Sequence, residues 1–185
     1  DDGVVRAHSL RHAAEVAVAL MAGKTPPAPA ELSPSLRTAA ATAAGRLAPG
    51  QRWVRGVFAG GTFCYEAQLI LLAGGNACES NAPAPGATPL VELARGHGNS
   101  LVDMGDDAFT EGRPHPMIDP SLRDARLLAE AADPETAVLL FDVVLGHGAD
   151  ADPGRGLLGI VESARAAARS DRRELAIIAH VCGTE

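Results

Sequence analysis

The residues best suited to chemistry are concentrated in the segment MGDDAFTEGRPHPMID, at positions 104–119. Arg113 can bind a carboxylate or phosphate through two hydrogen bonds, and His115 can move a proton near neutral pH. Asp106 and Asp107 could orient Arg113, bind Mg²⁺ or cap a turn. The glycines and prolines exclude a regular helix or strand. Long polar loops usually carry function, and a solvated, charge-balanced loop is the alternative.

A second candidate is the turn in AGGTFCYEA, where Gly60 and Gly61 lie between a predicted strand and a predicted helix that starts near Thr62. Glycines let a ligand approach backbone N–H groups, and the positive end of the helix favours an anion. There is neither a Walker lysine nor a GxGxxG pattern, so no nucleotide site is predicted. We predict a phosphate site at this turn, with a tight turn capped by Thr62 as the alternative. Cys64 is expected to be a small buried side chain rather than a reactive thiolate.

Further polar residues follow other predicted strands. His147, between glycines in LGHGAD, has two open interpretations, a functional residue or part of an ordinary turn. Three residues are predicted to face the substrate: Asn81 in SNAP, Asp107 in the polar loop and Thr184 in CGTE. His97 is predicted to be structural, and His180 to lie in the core. No metal site is predicted, because the cysteines and histidines lack the spacing of metal ligands.

These candidates require elements that bring them together. From Trp53 onward the chain alternates between strand and helix patterns, with a helix predicted between each pair of strands. One is a short helix near TPLVELARG, and another begins at Asp119 and Pro120. The predicted strands are WVRGVFAG, NACESNAP, SLVDMGD, TAVLLFDVVLG and ELAIIAHVCG. This order predicts an α/β fold, a flavodoxin-like, doubly wound parallel sheet of about five strands that binds ligands at their carboxyl ends.

The predicted domain organisation places this fold at residues 35–185, beginning with a helix from Ser35 to Leu47. Residues 1–34 are predicted to form a helix, capped by Ser9, and a proline-rich linker. The chain lacks an initiator Met and ends directly after a predicted strand, so we expect it to be part of a longer protein.

Composition narrows the partners and the compartment. A formal net charge of -7 argues against nucleic acid or an anionic membrane as the main partner. The apolar runs are too short or too interrupted to span a bilayer. Three cysteines, an odd number, favour a reduced cytoplasmic setting.

The chain resembles the FdrA family of acyl-CoA synthetase-like proteins from about Arg37 to Glu185. The resemblance rests on five segments in the same order: VRGVFAGGTFCYEAQ, SNAP, VDMGDDAFTEGRPHPMIDP, LLAEAADPETAVLLFDVVLGHGADADP and AHVCGTE. More distantly, it is similar to the ligase domain of the succinyl-CoA synthetase alpha subunit. That likeness implies that Gly60, Gly61 and Thr62 face a phosphate. In VVLGHG, Leu145, Gly146 and His147 replace a glutamate-containing pattern, and the resemblance implies no phosphohistidine in this chain.

The resemblance also implies an activity. FdrA-like proteins are associated with allantoin degradation as a component of an oxamate carbamoyltransferase, which implies carbamoyl transfer between oxalurate and phosphate. No cofactor is expected in this chain, whereas CoA or phosphate could bind the full-length protein. The implied partners are a small anionic substrate, a preceding Rossmann-type domain and partner subunits. We expect an enzyme component in which Arg113 neutralises charge and His115 or His147 moves a proton. The alternative is a non-catalytic assembly domain.

Overall fold

The computed structural model describes residues 3–183, in two compact units, Asp1–Thr42 and Ala43–Glu185. None of the helices in the described range is long and apolar enough to cross a membrane.

The first unit contains α1 (Leu10–Met21) and most of α2 (Pro34–Ala44). α1 begins where the sequence predicts, because the Ser9 hydroxyl accepts a hydrogen bond from the backbone N–H of His12 at 3.1 Å. The His12 ring is buried, and its Nε2 lies 3.0 Å from the carbonyl oxygen of Pro27. His12 therefore connects α1 to the proline-rich segment.

The second unit is a parallel sheet with helices on both faces. In chain order its elements are β1 (Trp53–Phe58), α3 (Gly61–Ala73), β2 (Glu79–Ser80), β3 (Thr88–Pro89), β4 (Ser100–Asp103), α4 (Asp107–Thr110), α5 (Ser121–Ala132), β5 (Thr136–Leu145), α6 (Pro153–Ser170) and β6 (Ala176–Gly183). The strand order is β3-β2-β4-β1-β5-β6, and every pair is parallel. The four longer strands thus follow the 2-1-3-4 order of a doubly wound sheet. The predicted fold class is confirmed, with six strands instead of about five.

Two apolar layers hold the sheet between its helices. On one face, Phe58 and Leu101 pack with Cys64 of α3. On the other face, the side chains of β1, β4 and β5 pack against Leu127 of α5 and Leu157 of α6. α3 therefore lies on one side of β1, and α5 and α6 lie on the other. Because α3 begins directly after β1 ends, its start lies at the carboxyl edge of this central strand.

A buried ionic cluster lies at the opposite, amino edge of the sheet. Glu130 of α5 accepts a hydrogen bond from Arg126 Nε at 2.6 Å, and its Oε2 lies 3.3 Å from Arg55 Nε. Arg55 also donates to Asp133 Oδ2 at 3.0 Å. All four side chains are buried, so their charges are neutralised mainly by one another.

The structure corrects three predictions about elements. The segment 104–119 does contain a short helix, α4, because its glycines and prolines lie outside Asp107–Thr110. The segment near TPLVELARG does not form a helix; it contains β3 and then a loop whose Leu93 carbonyl accepts a hydrogen bond from Arg126 Nη1 at 2.6 Å. A second hydrogen bond to α5 comes from Gly96 N in this loop, which donates to Glu130 Oε1 at 3.0 Å. His180 is exposed rather than in the core, because β6 is the last strand of the described sheet.

Candidate functional site

The central feature of the carboxyl edge is the open start of α3. Gly60 is its N-cap, in an extended conformation with φ −164° and ψ 163°, and makes no side-chain cap hydrogen bond. Gly61 and Thr62 are exposed in the first turn. Thr62 is inside the helix, so the alternative in which it serves as the N-cap is wrong. The first N–H groups of a helix lack intrahelical acceptors, and here they lie in an exposed turn at the positive end of the helix dipole.

A carboxyl group lies beside this turn. Asp103 is the last residue of β4 and is paired in register with Phe58 of β1. Its Oδ1 accepts a hydrogen bond from Gly105 N at 2.9 Å. A Cβ built at Gly61 would lie 2.9 Å from Asp103 Oδ2, so the glycine permits this close approach. Burial raises the pKa of Asp103, and the Asp106 charge adds to the effect, although the Gly105 N–H and His115 oppose it.

The polar loop brings His115 to the same place. A Cβ at Gly105 would lie 2.7 Å from His115 Nε2 and 3.2 Å from Asp103 Oδ1, so the ring and the carboxyl face one point on the backbone. His115 Nδ1 accepts a hydrogen bond from Met117 N at 3.2 Å. In the neutral ring the proton is therefore on Nε2, the nitrogen on the side of Asp103. His115 can thus donate a hydrogen bond at the carboxyl edge.

A second aspartate, which the sequence reasoning missed, orders the backbone before α3. Asp142 of β5 is buried, and its Oδ1 accepts a hydrogen bond from Ala59 N at 2.7 Å. Burial raises the pKa of Asp142; the hydrogen bond from Ala59 and the charges of Arg123 and His180 oppose this rise. The only local signal was one charge inside the apolar run TAVLLFDVVLG.

Asn81 uses its amide to connect β2 to β4. Its Oδ1 accepts from Asp103 N at 2.9 Å, and its Nδ2 donates to Asp103 O at 2.9 Å. Both ends of the amide therefore bind the backbone of the residue whose carboxyl faces Gly61. Asn81 is placed to position Asp103, and its direct contact with a substrate stays a prediction.

The remaining predicted site residues are spread along the edge. Asp106 is the N-cap of α4, accepting from Ala108 N at 3.0 Å, and Asp107 is exposed in the first turn of that helix. Arg113 lines a cavity of about 260 Å³ with Phe109, Pro114, Pro116, Asp119, Ser121, Leu122 and Ala125. His147 lines a different cavity, of about 470 Å³, with Leu145, Gly146, Ala149, Asp150, Ala151 and Pro153.

The structure therefore brings together Gly61, Asp103 and His115, through Gly105. No hydrogen bond or ion pair within residues 3–183 joins Arg113 or His147 to this group. Thr184 lies outside the described residues.

The structure supports a packing role for Cys64. Burial raises the pKa of this thiol to about 12, and the nearby charges of Asp103 and Asp142 also raise it, against the hydrogen bonds of Ser80 and Gln68. A thiol with so high a pKa is protonated at neutral pH. In the described part of the chain, no group of three or more histidine, cysteine, aspartate or glutamate side chains is arranged to hold a metal ion.

This fold, with an open helix start at the carboxyl edge of its central strand, is typical of phosphate-binding α/β domains. Residues 57–185 match the family model of the CoA-ligases. The chain belongs to the CoA-ligase family, whose members are acyl-CoA synthetase-like.

A similar curated protein is "Uncharacterized protein YahF" from Escherichia coli strain K12, which is 41% identical over 140 residues. The aligned region covers 76% of this chain and 27% of that protein. The chain thus spans about a quarter of the length of the curated relative it matches.

Proposed function

We propose that this chain is the anion-binding part of an acyl-CoA synthetase-like enzyme of the FdrA type, which handles an acyl or carbamoyl phosphate. Membership of the CoA-ligase family supports the general class. The observation that carries the proposal is the uncapped N-terminus of α3, where Gly60, Gly61 and Thr62 present backbone N–H groups at the carboxyl edge.

In this proposal each polar group at the edge has one task. The N–H groups of Gly61 and Thr62 bind the phosphoryl oxygens, and the helix dipole offsets their charge. His115 donates its Nε2 proton to a carbonyl oxygen or to the leaving nitrogen. Arg113 and His147 line two other cavities, and we assign them to charge neutralisation and proton transfer in the assembled enzyme.

The finer form of the proposal is carbamoyl transfer from oxalurate to phosphate. A phosphate oxygen bonds to the carbamoyl carbon, and the bond between that carbon and the oxamate nitrogen breaks. The nitrogen gains a proton and leaves as part of oxamate. Partner subunits and a Rossmann-type domain would supply the other substrate sites, including any site for CoA. The full-length protein with its partners should therefore form carbamoyl phosphate from oxalurate and phosphate. If that assembly shows no turnover, the carbamoyl form of the proposal is excluded and the acyl phosphate form remains.

The anion site itself can be tested in this chain with substitutions at Gly60. A Cβ at Gly60 would meet no atom within 4 Å, and the backbone there is extended, so the site tolerates a side chain. Gly60→Asp should cap α3 and be about 0.5–2 kcal/mol more stable than Gly60→Ala, while its carboxylate accepts from the N–H groups that an anion would use. Phosphate should then raise the Tm of the wild type and of the Gly60→Ala control by mass action, but not that of Gly60→Asp.

The contrast between the two variants is decisive. If Gly60→Asp and Gly60→Ala respond to phosphate equally, the anion does not bind at the start of α3. If the wild type does not respond at all, the proposed function loses its main support.

A further inference from the structure

Asp103 is an unusual neighbour for an anion site. It is 8% exposed, and its Oδ1 is used by Gly105 N. Its Oδ2 points towards Gly61 and accepts no hydrogen bond from the residues that the structure describes. Solvent reaches this oxygen, since it is not one of the buried side-chain atoms that lack a hydrogen-bond partner. A ligand that displaces water from Oδ2 would therefore be stabilised if it brings a donor of its own.

The N–H groups of α3 and the carboxylate of Asp103 therefore favour ligand atoms of opposite kinds. The N–H groups of Gly61 and Thr62 donate to oxygen atoms and favour negative charge. Asp103 Oδ2, next to them, accepts a hydrogen bond and repels an oxygen atom that carries no proton. A ligand satisfies both only if an O–H or N–H lies on, or directly beside, its anionic group.

We propose that Asp103 makes this site selective for oxyanions that carry such a donor and excludes those that do not. Phosphate, which retains a proton at neutral pH, belongs to the first class, as does an acyl phosphate whose acyl group bears an N–H. Sulfate is close to phosphate in size and shape but carries no proton, so it belongs to the second class. This inference rests on the proposed anion site and adds the chemistry that selects its ligand.

The charges around Asp103 do not provide the missing donor. Asp106 lies in the following turn and is itself an acid, so its carboxylate is no donor. Cys64 of α3 is a neutral thiol at neutral pH and brings no positive charge. His115 contributes a favourable charge only when protonated, and its Nε2 faces the Oδ1 side near Gly105. The donor for Oδ2 must therefore come from the ligand or from solvent.

The test compares inorganic phosphate with sulfate at equal ionic strength and pH 7, using isothermal titration and the change in Tm. The wild type should bind phosphate about 10- to 100-fold more tightly than sulfate, because sulfate leaves the carboxylate without a donor. Asp103→Asn keeps the acceptor for Gly105 N and adds an N–H₂ donor, so it should bind sulfate about as tightly as phosphate.

Asp106→Asn is the matched control, because it removes one negative charge from the same edge without changing the group that faces Gly61. It should change the affinities for both anions by the same factor and preserve their ratio. Equal binding of phosphate and sulfate by the wild type would overturn the inference while leaving the anion site in place. An unchanged ratio in folded Asp103→Asn would also overturn it. If neither anion binds the wild type, the proposed function and this inference both fail.

Discussion

At the scale of single residues, the candidate site depends on which polar atoms are already used. Asn81 shows why this was hard to predict. Its position after a predicted strand suggested a substrate contact, which stays a prediction. The sequence did not reveal that both ends of its amide bind the backbone of Asp103, 22 residues away. Asp142 was missed for a related reason, since its partner Ala59 N is 83 residues away in the sequence. Residue type and local spacing cannot reveal a partner that only the sheet brings close.

The raised pKa of Asp103 leads to a prediction about stability. A folded-state pKa above the unfolded value means that the folded protein holds this proton more tightly, so stability falls as pH rises through the folded pKa. At pH 7 the buried carboxylate therefore weakens the fold. Asp103→Asn should raise the free energy of unfolding at pH 7, and the gain should disappear as pH falls below about 4, the ordinary range of aspartate.

Asp133 is the matched control because its pKa changes in the opposite direction. Burial alone would raise the pKa of Asp133, but the Glu135 N–H and the charges of Arg55 and Arg95 outweigh burial and lower it. Asp133→Asn should therefore destabilise the protein at neutral pH, and the loss should shrink as pH falls through the lowered folded pKa. Urea unfolding from about pH 2 to pH 7.5 would measure both. Opposite signs are expected, and equal losses for both variants would contradict the assignment.

At the scale of elements, the sequence predicted best where the signals are local. α1 has its Ser9 cap, and α6 begins at Pro153 after Asp152, whose Oδ1 accepts from Arg155 N at 3.1 Å. The predicted helix near TPLVELARG failed because side chains of α5 determine its conformation. Arg126 and Glu130 bind the backbone of this loop from more than 30 residues away.

The ionic cluster at the amino edge gives the prediction for this scale. Glu130 is 3% exposed and lies between Arg126 and Arg55 while it also holds Gly96 N. Glu130→Ala would leave two buried arginines without this carboxylate, so it should cost about 3–5 kcal/mol in the free energy of unfolding.

An exposed glutamate provides the comparison. Glu162 lies on the exposed side of α6, and Glu162→Ala should change the free energy of unfolding by less than about 0.5 kcal/mol. Urea unfolding of the two variants under the same conditions would compare them directly. Similar small effects would mean that the buried cluster contributes little to stability.

At the scale of the whole molecule, the polar edges of the sheet have different roles. At the amino edge, the buried charges hold a loop in place. They also pair with one another, as the ion pairs among Arg55, Arg126, Glu130 and Asp133 show. At the carboxyl edge, the first N–H groups of α3 have no side-chain cap, and Asp103 Oδ2 lies beside Gly61. The sequence could predict this sorting of polar residues because strands and helices alternate. It could not predict that Gly61, Asp103 and His115 meet, since that depends on the register of β1 and β4.

The most direct test of the anion site is a titration of the ¹⁵N-labelled chain with phosphate, followed through backbone amide chemical shifts. The account predicts that the largest changes occur at Gly61, Thr62 and Phe63, whose N–H groups begin α3, and that they saturate with a single affinity. Gly60→Asp should remove these changes and Gly60→Ala should preserve them. Phosphate-dependent changes that are absent from these three amides, or confined to other parts of the chain, would contradict the account.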